Sequence, residues 1–176
     1  MIDFSADHFS LLNLPRRYRI DIAQLDREYR ALQGTIHPDR HAGAAEYGRR
    51  LAQQSSARVN DAYATLRDPA ARGEYLLGLH GVVSLAENDT AMPMDFLTAQ
   101  MERREAIGEA RASGDQPALA DALAGVAAER AALEAELAEA IDGRGELEAA
   151  RVAVRKLRFL DRVKHEIDDA LAEAET

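Results

Sequence analysis

Apolar residues recur at helical spacing along nearly the whole chain, and no stretch alternates as a half-buried strand would. Near the start, Phe9, Leu11, Leu12 and Leu14 make a short apolar turn stopped by Pro15. Leu25, Tyr29 and Leu32 fall at i, i+4 and i+7, which predicts a helix capped by Asp21 and ended at Gly34. Tyr47, Leu51, Val59, Ala62, Tyr63 and Leu66 predict a longer helix, with Pro69 ending it or starting the next. A short helix closed by Gly78 and Gly81 follows, and residues 77–88 lose the period and read as a linker. After the linker, "MDFLTAQMERREAIGEARASGD" predicts a helix that stops at Ser113, Gly114 and Asp115. Leu119, Leu123, Val126, Leu133, Leu137 and Ile141 form a seam whose threes and fours only Arg130 interrupts; Pro117 stands in its first turn, where proline is tolerated. The last helix, from about Glu146, carries Leu147, Val154, Leu157, Leu160, Val163, Ile167 and Leu171 on one face. The expected fold is all-α: a helical unit over residues 1–76, a linker over 77–88, and over 89–176 three helices with short connections, which fit an antiparallel bundle.

Charge and aromatics divide along the same line. The 176 residues carry a net charge of −9. Residues 1–80 hold 11 Lys and Arg against 10 Asp and Glu, whereas residues 81–176 hold 11 against 21. Seven of the nine Phe and Tyr residues precede residue 77. A compact core is expected first and a slender acidic bundle second, each with its own partner. The acidic half argues against nucleic acid, whose binding needs clustered cations. With no cysteine, disulfides, thiolate zinc sites and cysteine nucleophiles are excluded. The start "MIDFSADHF" lacks the apolar core of a signal peptide, and no apolar run approaches the ~18 residues of a membrane span, so a soluble, cytoplasmic chain is expected.

The candidate chemistry sits at a break, "LQGTIHPDRHAG". Proline disfavours helix at the residue before it, so His37 should be extended and displayed. Asp39 then lies near the start of the next helix, where negative charge is favoured. Read alone, His37-Pro38-Asp39 is a kink and a cap, or a displayed imidazole and carboxylate. A metal site at His37, Asp39 and His41 is not expected, since Pro38 interrupts the helix that would align them and no third ligand is evident. The basic run "RKLR", residues 155–158, reads as a solvated face, and there is no glycine-rich phosphate loop.

What surrounds the break carries a resemblance. "REYRALQ", "HPDR" and "VNDAYATLRDPAARGEYL" together resemble a J-domain, an antiparallel helical hairpin with an HPD loop that engages DnaK-class chaperones. Asn60, Ala62, Tyr63, Leu66, Asp68, Pro69, Arg72 and Tyr75 match the family's pattern residue by residue. The resemblance implies that His37, Pro38 and Asp39 touch the chaperone's ATPase domain, with Arg27, Arg30 and Arg40 as the adjacent basic face. Many J-domains have Lys and Tyr just before the motif; here stand Thr35 and Ile36. The thin basic face points to a dedicated chaperone. The stretches "LPRRYRID", "EYLLGLHG", "MDFLTAQMERREAI" and "VRKLRFLDRVKHEI" extend the resemblance to HscB-type J-domain cochaperones of iron–sulfur cluster assembly. That implies an HscA-like chaperone and an IscU-like scaffold as partners, and no cofactor.

In the second half, Leu97, Met101 and Glu105 share one stripe with Thr98 and Glu102 beside it, while Phe96 and Ile107 share another; one stripe must pack inward. Phe159 lies about 200° from Leu157 and 100° from Leu160, at the edge of its seam, which makes it a candidate anchor. The resemblance implies a client site at Leu97, Thr98, Met101, Glu102, Glu105 and Phe159. Thr98 departs from the apolar residue usual there. Two other readings remain open: a J-domain adaptor whose bundle recruits a different client, or, from a different class, a helical scaffold whose HPD is vestigial. A third is an enzyme using His37 with Asp39, which would place the pair in a cleft with further polar groups.

Overall fold

The computed structural model describes residues 2–36, 46–83 and 92–174. They form α1 (His8–Leu11), α2 (Ile22–Ile36), α3 (Glu46–Arg67), α4 (Pro69–Leu79), α5 (Met94–Ser113), α6 (Gln116–Ala138), a π-helical turn (Glu139–Arg144) and α7 (Leu147–Ala174). No strand occurs among the described residues. The chain divides into two compact units, Met1–Leu79 and His80–Thr176.

In the first unit α2 and α3 form an antiparallel hairpin, with α1 and α4 packed on α3. Asp21 caps α2 by accepting the Ala23 N–H at 2.9 Å. The pairing is partly polar. The Tyr29 and Tyr63 rings stack at 4.0 Å, Tyr63 donates its hydroxyl to Asp26 at 2.8 Å, and Tyr29 donates to Asn60 at 3.1 Å. Phe9, Leu12, Leu25, Val59, Leu66, Leu76 and Leu77 fill the core.

Three sequence expectations fail here. Gly34 does not end α2, which continues to Ile36. The cost of about 1 kcal/mol for glycine in a helix is overcome where Gln33 of the same turn bonds Asn60 across the hairpin. Gly78 does not close α4, which runs to Leu79, into the stretch expected as linker. Tyr47 belongs by spacing to the buried stripe of α3, yet it is 79% exposed. Asp26 meets Arg67 and Tyr29 meets Tyr63, so the first turn of α3 lies beyond the level of Ile36, and among the described residues no helix faces its apolar stripe.

His8 is the one buried histidine among the described residues. It stacks on Tyr75 at 4.2 Å and lies 3.5 Å from Asp61. Burial and the nearby Arg58 lower its pKa below 6.5, against the smaller opposing pull of Asp61 and Asp7. The folded state therefore disfavours the proton that the unfolded chain accepts. The resulting stability is fully present above pH 6.5 and is lost as the pH falls through the lowered folded value. Urea titrations of the parent and of His8→Phe should show this as a gap in midpoint that changes as the pH falls below 6.5. Parallel curves across that range would disprove the assignment.

In the second unit α5, α6 and α7 form an up-down-up bundle. The αL residue Gly114 (φ 68°) closes α5, and Asp115 caps α6 by accepting the Ala118 N–H at 3.0 Å. The π-helical turn and a second αL glycine, Gly145 (φ 67°), lead into α7. Leu119, Val126, Leu133, Leu137, Val154, Leu157, Leu160, Val163 and Ile167 are buried and Leu123, Ile141, Leu147 and Leu171 half-buried, so both predicted seams turn inward, most fully at their centres. Arg130, which interrupts the α6 seam, makes an ion pair with Asp161 of α7. Gln100, only 2% exposed, accepts from Arg103 at 2.6 Å, and Arg103 also donates to Glu129 of α6 at 2.6 Å.

Candidate functional site

In the first unit, His37, Pro38, Asp39 and Arg40 lie outside the described residues. Arg27 and Arg30 are exposed on α2. Arg27 stands 3.8 Å from Asp21, and Arg30 donates from Nε to the Asp26 carbonyl at 3.1 Å. Of the residues that carried the J-domain resemblance, Asp68, Arg72 and Tyr75 turn out to be framework. Asp68 accepts the Ala71 N–H at 2.6 Å and caps α4, whose first residue is Pro69. Arg72 is buried; it donates to the Leu66 carbonyl at 2.7 Å and lies over the Tyr18 ring at 4.7 Å. The Tyr75 hydroxyl accepts the His8 N–H at 3.0 Å. The motif thus locks α4 and α1 against α3 and leaves the hairpin's outer face to other residues.

In the second unit α5 resolves its two stripes. Phe96, Gln100, Ile107 and Ala110 are buried. On the other side Leu97 is half-buried, whereas Thr98, Met101 (73% exposed), Glu102 and Glu105 are exposed. Phe159 is half-buried on α7 and meets the buried Phe96 edge-on, with ring centroids 5.6 Å apart. Arg104 bridges the same two helices by donating twice to Glu166, and Arg111 does likewise with Glu173 at 2.6 and 2.9 Å. Both bridges join residues 62 places apart, so α5 and α7 run parallel and in register. That register sets Leu97 level with Phe159 and places Met101 one turn further on.

Sequence reasoning missed the cations around this strip. The guanidinium groups of Arg104 and Arg162 lie over the Phe159 ring at 5.9 and 5.6 Å, and the Lys156 ammonium lies 5.5 Å from the Phe96 ring. The run at 155–158 is not a solvated face, since Arg155 is buried and Lys156 and Arg158 are half-buried. The contacts of Arg104 and Lys156 depend on the register between helices, of which periodicity within one helix carries no signal, whereas Arg162 is an i,i+3 neighbour of Phe159 on α7 that spacing could have found. Among the described residues no cluster of His, Asp and Glu could hold a metal ion, and no helix is long and apolar enough to cross a membrane.

Comparison with known proteins gives these surfaces a context. Residues 92–168 match the family described as the HSCB C-terminal oligomerisation domain. A co-chaperone protein HscB homolog of Ralstonia nicotianae is 45% identical over 167 residues, 95% of each chain. The structure of chaperone HscB from Vibrio cholerae superposes with a TM-score of 0.84 at 36% identity, covering 96% of this chain and 99% of that one. The human co-chaperone protein HscB superposes with a TM-score of 0.87 at 31% identity, covering 94% of this chain and 82% of that one. A J-domain followed by a three-helix bundle, matched over nearly its full length at these identities, makes the chain a member of the HscB co-chaperone family.

Proposed function

We propose that the chain stimulates the ATPase of a dedicated, HscA-like DnaK-class chaperone and delivers an IscU-like iron–sulfur scaffold to it in the cytoplasm. His37, Pro38 and Asp39, with Arg27, Arg30 and Arg40, contact the chaperone. Leu97, Thr98, Met101, Glu102, Glu105 and Phe159 hold the scaffold. The hydrolytic chemistry is the chaperone's own. The contribution of this chain is to join two binding events, because a scaffold held by one unit is presented to the chaperone at the effective concentration of a tethered ligand.

The observation that best supports the reading is the partly exposed strip of Met101 with the half-buried Leu97 and Phe159, on a bundle whose core is filled by other residues. Apolar side chains grouped at the surface, even when only partly exposed, mark interaction surfaces. The test uses the full chain with purified chaperone and scaffold from the same host. Calorimetry should show one scaffold bound per chain, and chaperone ATPase should rise with the chain and rise further when scaffold is present. A chain that binds no scaffold, or a chaperone whose turnover it leaves unchanged, would reject the corresponding half of the proposal.

A further inference from the structure

The strip on the second unit has a charge order that follows from the register of α5 and α7. With the buried Phe96 taken as zero and 100° allowed per residue, Arg104 falls at about 80°, Leu97 at 100°, Met101 at 140°, Glu105 at 180° and Glu102 at 240°. Arg104 bridges to Glu166, so α7 lies on that side. Passing around α5 away from α7, one therefore crosses a guanidinium, two apolar side chains and then two carboxylates. On the α7 side the Phe159 ring is flanked by Arg104 and Arg162, and Arg162 is exposed. This cationic flank is a local exception in a stretch with 21 acidic residues against 11 basic ones.

The two arginines differ in what they can still do. Arg104 is engaged by Glu166, so its charge is largely met and it acts to hold the ring. A guanidinium resting on an aromatic face keeps its N–H donors in its own plane, pointing outward, where they match a carboxylate in bidentate fashion. Arg162 is exposed at the edge of the strip, with its guanidinium carbon 5.6 Å from the Phe159 ring centroid, where a partner carboxylate can reach it.

We propose that the strip is a polarised docking surface: Arg162 takes a carboxylate on the scaffold protein, Glu102 and Glu105 take its cations, and the apolar centre lies between. This rests on the client-binding reading above and adds an orientation to it. A partner docked the other way round would set like charges against each other, so the two flanks select one pose more than they raise affinity. The scaffold surface that fits carries an apolar side chain with a carboxylate on one side and a basic residue on the other.

The experiment compares Arg162→Glu, Arg162→Lys and Phe159→Ala in the full chain, with circular dichroism to verify folding, titration against the scaffold at low and high salt, and sedimentation of the chain alone. Arg162→Glu should weaken scaffold binding about tenfold or more at low salt, slow association, and lose much of that deficit at high salt, with its melting curve unchanged. Arg162→Lys should fall between, because charge remains without the fork. If Phe159→Ala weakens binding but Arg162→Glu stays within twofold of the parent, the cationic flank is wrong while the client site stands. If Phe159→Ala also binds normally, the client site itself is wrong. If the parent is a dimer that Arg162→Glu dissociates without altering scaffold affinity, the flank serves a second copy of this chain and the proposal is overturned.

Discussion

His37→Gln is expected to abolish stimulation of the chaperone's ATPase while scaffold binding and folding stay close to the parent. The sequence places His37 between α2, which ends at Ile36, and α3, which begins at Glu46, and immediately before a proline. By its spacing it belongs to neither helical stripe, and a following proline disfavours helix there, so the sequence displays it. Substitutions away from the core usually alter stability by no more than about 0.5 kcal/mol. The residues proposed to hold the scaffold lie in the other unit. Three measurements on one preparation therefore separate the readings: chaperone turnover, scaffold affinity and the melting curve. Loss of turnover alone fits a displayed contact residue. Full stimulation by the variant would leave the HPD vestigial. Loss of all three would make His37 a structural residue and remove it from the proposed chaperone surface.

Much of the fold was legible because helical periodicity reports burial directly. The α6 and α7 seams were read correctly since each buried position repeats every three or four residues and the partner helix lies along the whole length. The break in α6 was visible as Arg130, but its partner Asp161 was not, because nothing local specifies which turn of α7 comes opposite. Tyr47 shows the converse: its spacing is that of a core residue, yet among the described residues no helix faces it and it stays exposed. The same limit applies to the candidate client site. Which stripe of α5 turns inward, and that Phe159 meets Phe96 and Arg104, are consequences of a register between helices that no single segment encodes, whereas Arg162, three residues on in the same helix, was within reach of spacing alone. The J-domain pattern, by contrast, was legible as a pattern while its physical role was not. Asp68, Arg72 and Tyr75 were recognisable by spacing, yet only the packing shows that they tie α4 and α1 to α3.

The sharpest test of the bundle surface contrasts two neighbours on α7. Leu157 is 0% exposed in the core, and truncating it to alanine removes buried methyl groups and leaves a cavity. Such changes typically cost 2–5 kcal/mol, which for a unit of this size lowers the melting temperature by ~10 °C or more. Its effect on scaffold affinity, measured well below that temperature, should be small. Phe159 stands two residues on, at the edge of the seam. Truncating it forfeits the edge-on contact with Phe96, worth about 0.5–1.5 kcal/mol, and a partial burial, so some loss of stability accompanies it. Its larger effect should fall on binding, where an aromatic anchor at the centre of an interface contributes ~2 kcal/mol, a roughly thirtyfold loss of affinity. Leu97→Ala, level with Phe159 and half-buried, should shift the same way by a smaller amount. The ratio of the two effects is what discriminates, since any variant that merely loosens the bundle would lose stability first and affinity second. If Phe159→Ala melts the bundle while scaffold affinity holds, and Leu157→Ala does the opposite, then the faces of α7 are assigned the wrong way round and the scaffold must dock on a different side of the bundle.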